Sequence, residues 1–319
     1  MFDFNVALIV PTGIGAKIGG HSGDATIIAK LLSVLCDTVI LHPNVVNASD
    51  INEMPSNSLY VDGYTLDEFL KGHINLLPVK SNKVLVVCND KNNPDTMNAV
   101  NSARSILGIN CKVVELDVPL RMKGWIGKEG AEGSVEGMDE LLETVSKFDF
   151  DVLAVHTPID VDSDVSEHYR QFGGVNPWGK VEALASRHIS RMIEKPCAHA
   201  PVETESLLYI APARIAPEFI GVHLMSVLKG LSKAPRWCAE YKKNSLSVDD
   251  LDALVSPLCW GEPHESCSAK GIPILLVEEN TTVFTPPKDL GERVNNYYEA
   301  VGWLAALKLG VFPFYKNIT

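Results

Sequence analysis

Long apolar runs, basic clusters and paired cysteine motifs are all missing from this chain. Its uninterrupted hydrophobic stretches are only a few residues long, too short to cross a bilayer as a helix. No run of Lys and Arg suited to tracking a phosphate backbone occurs, and the formal net charge is −12 at pH 7. Nucleic acid is therefore not an expected partner, and neither is a membrane. The seven cysteines are odd in number and none forms a CxxC pair. That usage fits reduced thiols better than a disulfide framework or a structural zinc site, so no metal is expected. Internal repeats, low-complexity tracts and heptads are also absent. The opening segment, MFDFNVALIVPTG, lacks a basic n-region and is broken by Pro11 and Gly13. It predicts neither a secretion signal nor a span, and the expected location is cytoplasmic.

What the chain does contain is an ordinary globular composition, 46% hydrophobic and 21% charged over 319 residues. That length suits one large α/β domain or two lobes. Six short apolar runs each end in a compact polar or glycine-rich tag: NVALIVPTG, TVILHPN, VLVVCND, DVLAVHTP, DALVSPLCWGEPH and IPILLVEEN. They alternate with helical patterns, as in βαβ units, so the expected fold is α/β with mostly parallel, Rossmann-like sheets and two lobes around a cleft. A boundary near residue 150 is expected, giving an N-terminal α/β lobe over 1–150 and a C-terminal α/β lobe with a helical insertion over 151–319. In parallel sheets the carboxyl ends of the strands converge on one edge, where ligands bind, so the tags describe a pocket.

Local signals place the elements. Asp24 is the expected N-cap of a helix with Ile27, Leu31, Leu32 and Leu35 on one side. A helix over 95–107 is expected to start at Asp95 and stop at Gly108, and a short one over 66–70 to close at Gly72. Residues 121–137 carry five glycines among charges, and they predict a mobile loop that could act as a lid. Short strands are expected at 207–210, 237–241, 251–255 and 272–277. A final helix over 292–309 puts Val294, Tyr297, Tyr298, Val301 and Leu304 on one side, suited to core packing or to a homodimer contact.

Chemistry begins at PTGIGAKIGGHSGD, residues 11–24. Thr12 and the glycines at 13, 15, 19 and 20 let the backbone approach a ligand, and the following helix start favours an anion. The spacing misses GxGxxG by one residue, and no Gly-Lys-Ser/Thr makes it a P-loop. A second tag is Cys88-Asn89-Asp90, where a strand-end thiol near a helix start is a candidate thiolate. A third is Cys259-Trp-Gly-Glu262-Pro-His264, where Glu262 and His264 are close enough in sequence to tune the thiol. Two thiols at two strand ends could face each other across a cleft.

The order of these tags resembles that of the aspartate/glutamate racemase superfamily, cofactor-independent enzymes with two α/β lobes. The matching pieces are Gly13 to Gly20, His42-Pro43, Cys88-Asn89, Asp252 to Cys259, and Gly271-Ile-Pro-Ile-Leu-Leu followed by Thr281-Thr282. The chain has Asp90 where that family has Thr, Leu258-Cys259-Trp260 where it has Gly-Cys-Thr, and about 170 residues between the two cysteines. The whole chain also resembles a bacterial and cyanobacterial family of unknown function, through PTGIGA, HPNVVNASDINEM and NPWG.

The racemase resemblance implies a reaction. One thiolate, from Cys88 or Cys259, removes the proton beside a carboxylate, the opposing thiol delivers one to the other face, and no cofactor is needed. Cys88, Cys259, Asp90, Glu262 and His264 are then the candidate catalytic residues. The glycine loop would bind an anionic small-molecule substrate, with Thr12, His42, Asn44, Asn89 and Thr281 as further binding residues. Three other readings stay open, one of them a non-catalytic sensor or interaction protein that uses the same pocket to control the helix over 292–309. A hydrolase or lyase would use His156, His199 or His264 with Asp160, Glu203 or Glu262, as acid–base groups or around a metal. A nucleotide or phosphometabolite binder would use the glycine loop alone.

Overall fold

A computed structural model describes residues 3–19, 25–46, 48–128, 130–202 and 223–311. The chain opens a sheet with β1 (Asn5–Leu8), crosses through α1 (Thr26–Leu35) to β2 (Thr38–Leu41), and reaches β3 (Ser58–Tyr60). Next, α2 (Gly63–Lys71) and β4 (Asn75–Leu77) lead to a second sheet, begun by β5 (Val84–Cys88), α3 (Pro94–Leu107) and β6 (Cys111–Glu115). A hairpin of β7 (Arg121–Gly127) and β8 (Gly130–Glu136) and then α4 (Met138–Ser146) precede β9 (Val152–Thr157). After β10 (Ile159–Asp160), α5 (Ser163–Phe172) and α6 (Gly179–Ile193) comes β11 (Cys197–Pro201), followed by α7 (His223–Leu231) and β12 (Arg236–Cys238). The first sheet is completed by β13 (Ala253–Pro257), α8 (Glu262–Ala269), β14 (Ile274–Val277) and β15 (Glu292–Val294), and α9 (Tyr297–Lys308) follows.

Both large sheets are parallel. The six-stranded one runs β3-β2-β1-β13-β14-β15, and the four-stranded one runs β6-β5-β9-β11. Each reverses its strand order once, between β1 and β13 and between β5 and β9. These switch points are where an open α/β sheet leaves a crevice beyond its strand ends. The expected α/β class with Rossmann-like units is the observed one.

The buried strands explain why the apolar runs are continuous. All five residues of β5, VLVVC, are buried, as expected for a parallel strand covered on both faces. Val84 and Val86 join a core shared with Val6 and Leu8 of β1, whereas Leu85 and Val87 pack with Val181, Ala185 and Ile189 of α6. Those α6 positions recur every four residues, one helical stripe. The helix α7 sends Leu224, Val227, Leu228 and Leu231 into the shared core. Each fully buried Leu or Val contributes about 1.5–3 kcal/mol relative to exposure.

Four expectations change. The boundary expected near residue 150 does not separate two sheets: β9 pairs with β5 across it, with Cys88 opposite His156. Where a mobile loop is expected over 121–137, Arg121–Gly127 and Gly130–Glu136 form a regular antiparallel hairpin. Its glycines are steric concessions, since a Cβ at Gly124 would collide with the Pro177 carbonyl and one at Gly133 would lie 2.5 Å from Val181 Cβ. Asn93, and not Asp95, caps α3, accepting from the Asp95 and Thr96 amides. The last helix starts at Tyr297, because residues 292–294 pair with β14 as an edge strand. It turns Tyr297, Ala300 and Leu304 inward and leaves Tyr298 exposed. Asp24 and the strand expected at 207–210 lie outside the described residues.

Close approach of α6 to the loop after β1 predicts opposite effects at two glycines. A Cβ at Gly179 would meet the Thr12 methyl and lie 2.9 Å from Gly13 N, while a Cβ at Gly302 in α9 would meet nothing within 4 Å. Urea unfolding should show Gly179→Ala losing about 1–3 kcal/mol and Gly302→Ala gaining about 0.5–1 kcal/mol. Equal midpoints for the two variants would contradict this packing.

Candidate functional site

The glycine loop after β1 is tied down by protein. Gly13, Gly15 and Gly19 have φ of 73°, 64° and 75°, the left-handed region that favours glycine. Two of its amides are engaged: Lys17 N donates to Thr281 O at 3.1 Å, and Ile18 N to Asn280 Oδ1 at 2.8 Å. A Cβ at Gly13 would lie 3.3 Å from Lys180 N, and one at Gly15 3.3 Å from Val175. Asn44 Nδ2 donates to Val10 O at 3.0 Å and to Thr12 Oγ1 at 2.7 Å. The Thr12 hydroxyl oxygen, the Asn44 amide and the Thr281 backbone carbonyl thus brace the loop. Gly20 lies outside the described residues.

At the end of β2, His42 Nδ1 accepts from Asn44 N at 3.3 Å. Burial, and then the Arg187 cation, push its imidazole down to about 3. Arg187 projects from α6 to pair with Asp67 of α2 and, at 3.3 Å, with Glu262 of α8. Burial raises the Asp67 carboxyl to about 6 despite that partner. Glu262 also holds Lys71 at 2.6 Å, so its partners are cations and not Cys259. His264 does reach the thiol: its Nε2 is 3.8 Å from Cys259 Sγ and 2.8 Å from Ser256 Oγ.

Neither expected thiolate is stabilised. Cys88 and Cys259 are each 1% exposed. Burial pushes the first up to about 11 and the second up to about 12. Cys88 Sγ is directed at Val114 O, 3.7 Å away. Cys88 ends β5 of the four-stranded sheet and Cys259 follows β13 of the six-stranded one, and among the described residues no hydrogen bond links them. Asn89 uses both ends of its amide on the Leu120 backbone, at 2.9 Å each, so it is a structural clamp. Asp90 is exposed and accepts from Asn92 N at 2.8 Å.

The polar side chains that do converge lie at the end of the four-stranded sheet, beside its switch point. Thr157 closes β9, His199 lies in β11, and Glu182 sits in the first turn of α6. Thr157 Oγ1 is 3.0 Å from His199 Nε2, and His199 Nδ1 is 3.3 Å from Glu182 Oε1. Thr157 and the His199 side chain are 0% and 1% exposed, and the Glu182 side chain is 24% exposed. This is a hydroxyl, an imidazole and a carboxylate in series, the arrangement that activates an oxygen nucleophile, with Met122 Sδ at 3.4 Å as a second acceptor for the Thr157 hydroxyl. Of the expected histidine–carboxylate pairs, His199 has Glu182 as its partner, while Glu203 lies outside the described residues and Asp160, expected near His156, is exposed on β10. Sequence reasoning missed Thr157 and Glu182. The tag after DVLAV contains Thr157, but nothing local marks Glu182, which is 17 residues from His199.

Elsewhere, a recess of about 460 Å³ is lined by Asp3, Asp249, Asp252, Lys270 and Leu307 among others. It opens at the amino edge of the six-stranded sheet, away from the switch points, and its acidic wall does not suit an anion. Among the described residues, no group of three or more His, Cys, Asp or Glu side chains is placed to hold a metal. Nor is any helix among them long and apolar enough to cross a membrane.

A family model described as a protein of unknown function (DUF3326) matches residues 5–315. An uncharacterized lipoprotein of Synechococcus sp. is 34% identical over 327 residues, covering 96% of this chain and 91% of the lipoprotein. No solved structure matches. The cytoplasmic location expected from the sequence is corrected by this relative: a protein aligned with nearly the whole chain is a lipoprotein, which speaks against a cytoplasmic placement.

The buried imidazoles predict an acid-sensitive fold. Burial holds His42 at about 3 and His156 and His264 at about 4, against an ordinary 6.5. From about pH 6.5 the unfolded chain binds protons at these sites that the native chain refuses, so stability falls as pH drops, down to about 4 for His156 and His264 and to about 3 for His42. Asp62 and Asp67, raised to about 6 by burial, keep their protons longer in the native state and offset part of the loss. Urea midpoints should fall from pH 7 to pH 4.5, and a rise would contradict the assignment.

Proposed function

The chain belongs to the family of proteins of unknown function designated DUF3326, and from that footing we propose that it is a small-molecule hydrolase of acyl compounds. Thr157 is the nucleophile, His199 the general base, and Glu182 the group that orients the imidazole. The observation that carries this reading is the pair of contacts in series, 3.0 Å from Thr157 Oγ1 to His199 Nε2 and 3.3 Å from His199 Nδ1 to Glu182 Oε1.

The chemistry follows from what each atom holds. His199 Nε2 takes the Thr157 proton as the hydroxyl oxygen attacks the carbonyl carbon. The same proton then passes to the leaving group, and a covalent acyl ester remains on Thr157. A water molecule, deprotonated by His199, attacks that ester, and the proton returns to Thr157 as the acid departs. Glu182 keeps the other imidazole proton on Nδ1 and stabilises the cation formed in each half of the cycle. Burial of Thr157 and His199 strengthens that interaction, because the surrounding dielectric is low.

The other readings have less support. A thiol held near 11 or 12 is no base at neutral pH, which weakens the two-cysteine inversion. Two of the loop amides that a nucleotide site would draw on, Lys17 N and Ile18 N, already donate to Thr281 and Asn280.

The test is turnover by the purified chain on a panel of p-nitrophenyl esters of short acids. Wild type should release nitrophenol, and His199→Gln and Thr157→Val should each lose about 10²–10⁴-fold in kcat/KM, with far-ultraviolet circular dichroism unchanged. No turnover by wild type, or full activity in both variants, would overturn the assignment.

A further inference from the structure

The last helix carries apolar side chains on nearly all sides, and the sheet covers only one of them. In α9, Tyr297, Ala300 and Leu304 turn inward, while Tyr298 and Leu309 stand in solvent. Its neighbour α1 repeats the pattern, with Ala29 and Leu32 in the core and Ile27 and Val34 outside. The four outward side chains are 67–89% exposed. A helix that is apolar all round is normally covered all round.

The two helices make one face. They pack against each other, and their inward residues share one core. Because α1 follows β1 and α9 follows β15, strands of one parallel sheet, both helices run the same way. Their last turns are joined, since Lys308 Nζ donates to Leu35 O at 2.7 Å. Ile27 and Val34 are two helical turns apart, and Tyr298, Ala305 and Leu309 recur at a similar spacing, so each set forms a stripe opposite the buried one. Ile27 and Tyr298 thus lie at one end of the face, and Val34 and Leu309 at the other.

The size of the face suits an interface. Its four outward side chains expose on the order of 600 Å², the upper end of the about 300–600 Å² of the largest apolar patch on a typical monomer. That is most of the roughly 800 Å² per partner of a standard stable contact.

Charge selects the occupant. With a net charge of −12, most of the surface repels a second copy of the chain and an anionic lipid alike. Over their whole lengths α1 and α9 hold three charged residues, Lys30, Glu299 and Lys308. Lys30 is paired with Glu53 and Lys308 with Asp37. A second copy can approach this face without the repulsion it meets elsewhere, and a two-fold contact asks only that a face match itself.

We propose that the outward face of α1 and α9 is the interface of a two-fold homodimer. It is independent of the hydrolase reading, because neither helix supplies Thr157, His199 or Glu182.

Sedimentation velocity of the full chain at micromolar concentration and pH 7 tests the interface. Wild type should sediment at twice the 34.8 kDa of one chain. Val34→Glu and Tyr298→Glu each bring like charges together across the two-fold contact, and each should raise the dimer Kd at least tenfold. Their far-ultraviolet circular dichroism should be unchanged, because both side chains are in solvent in the single chain. Ile106→Glu, at an exposed position of α3, should leave the dimer intact. Added sodium chloride should tighten the dimer by screening the net charge while the apolar contact remains. A wild-type monomer overturns the proposal, and one that floats with vesicles of phosphatidylcholine and phosphatidylglycerol gives the face to lipid instead. A dimer indifferent to both α1 and α9 variants, or broken equally by Ile106→Glu, also overturns it.

Discussion

Two glycine backbones pressed together hold the candidate site in place. The start of α6 lies so close to the loop after β1 that neither Gly13 nor Gly179 has free room for a Cβ. That contact fixes where the first turn of α6 begins, and Glu182 sits in that turn. With the helix seated there, Val181, Ala185 and Ile189 fall onto the four-stranded sheet, and the Glu182 carboxylate falls beside His199. Farther along the helix, Arg187 meets Asp67 and Glu262, so one helix carries both an orienting carboxylate and a cation that bridges two other helices. A shift of α6 by one residue would turn each of these side chains by about 100°. The series of contacts to Thr157 would not survive it.

Burial then decides which groups can act. The thiols that look reactive in the sequence are buried, and desolvation is the main force that keeps them protonated. The same force keeps His156 and His264 neutral. A buried neutral imidazole is a base or a hydrogen-bond acceptor, which makes histidine the residue this interior equips for chemistry. His199 differs from the others in having a carboxylate on one nitrogen and a hydroxyl on the other, and so can pass a proton from one side while its charge is balanced from the other.

Much of the fold was legible because local patterning carries it. The six apolar runs with polar tags became β1, β2, β5, β9, β13 and β14, and Gly72 and Gly108 end their helices in the left-handed conformation expected of them. Strand partnership was not legible. Nothing in VLVVC or DVLAV says that one pairs with the other across the hairpin, and the boundary near residue 150 came from reading sequence order as spatial order. The hairpin was hidden by its own glycines, which are needed for contact with Pro177 and Val181 but look like loop residues in isolation. At the site, His156 was marked by its strand end, whereas His199 stood out only as a histidine, with no strand expected at Cys197–Pro201. Glu182 was not marked, because its role comes from a long-range approach of α6 to β11 that no short motif records. Cys88 and Cys259 misled for the converse reason, since a strand-end cysteine looks the same in sequence whether it faces a crevice or a core.

The relay makes its most direct claim about one proton. Nitrogen-15 resonance of the His199 side chain at neutral pH should find that proton on Nδ1, with Nε2 bare, and the Nδ1–H signal should weaken in Glu182→Gln. A proton on Nε2 in the wild-type protein, or an Nδ1–H signal indifferent to Glu182, would contradict the arrangement of Thr157, His199 and Glu182 as a working series.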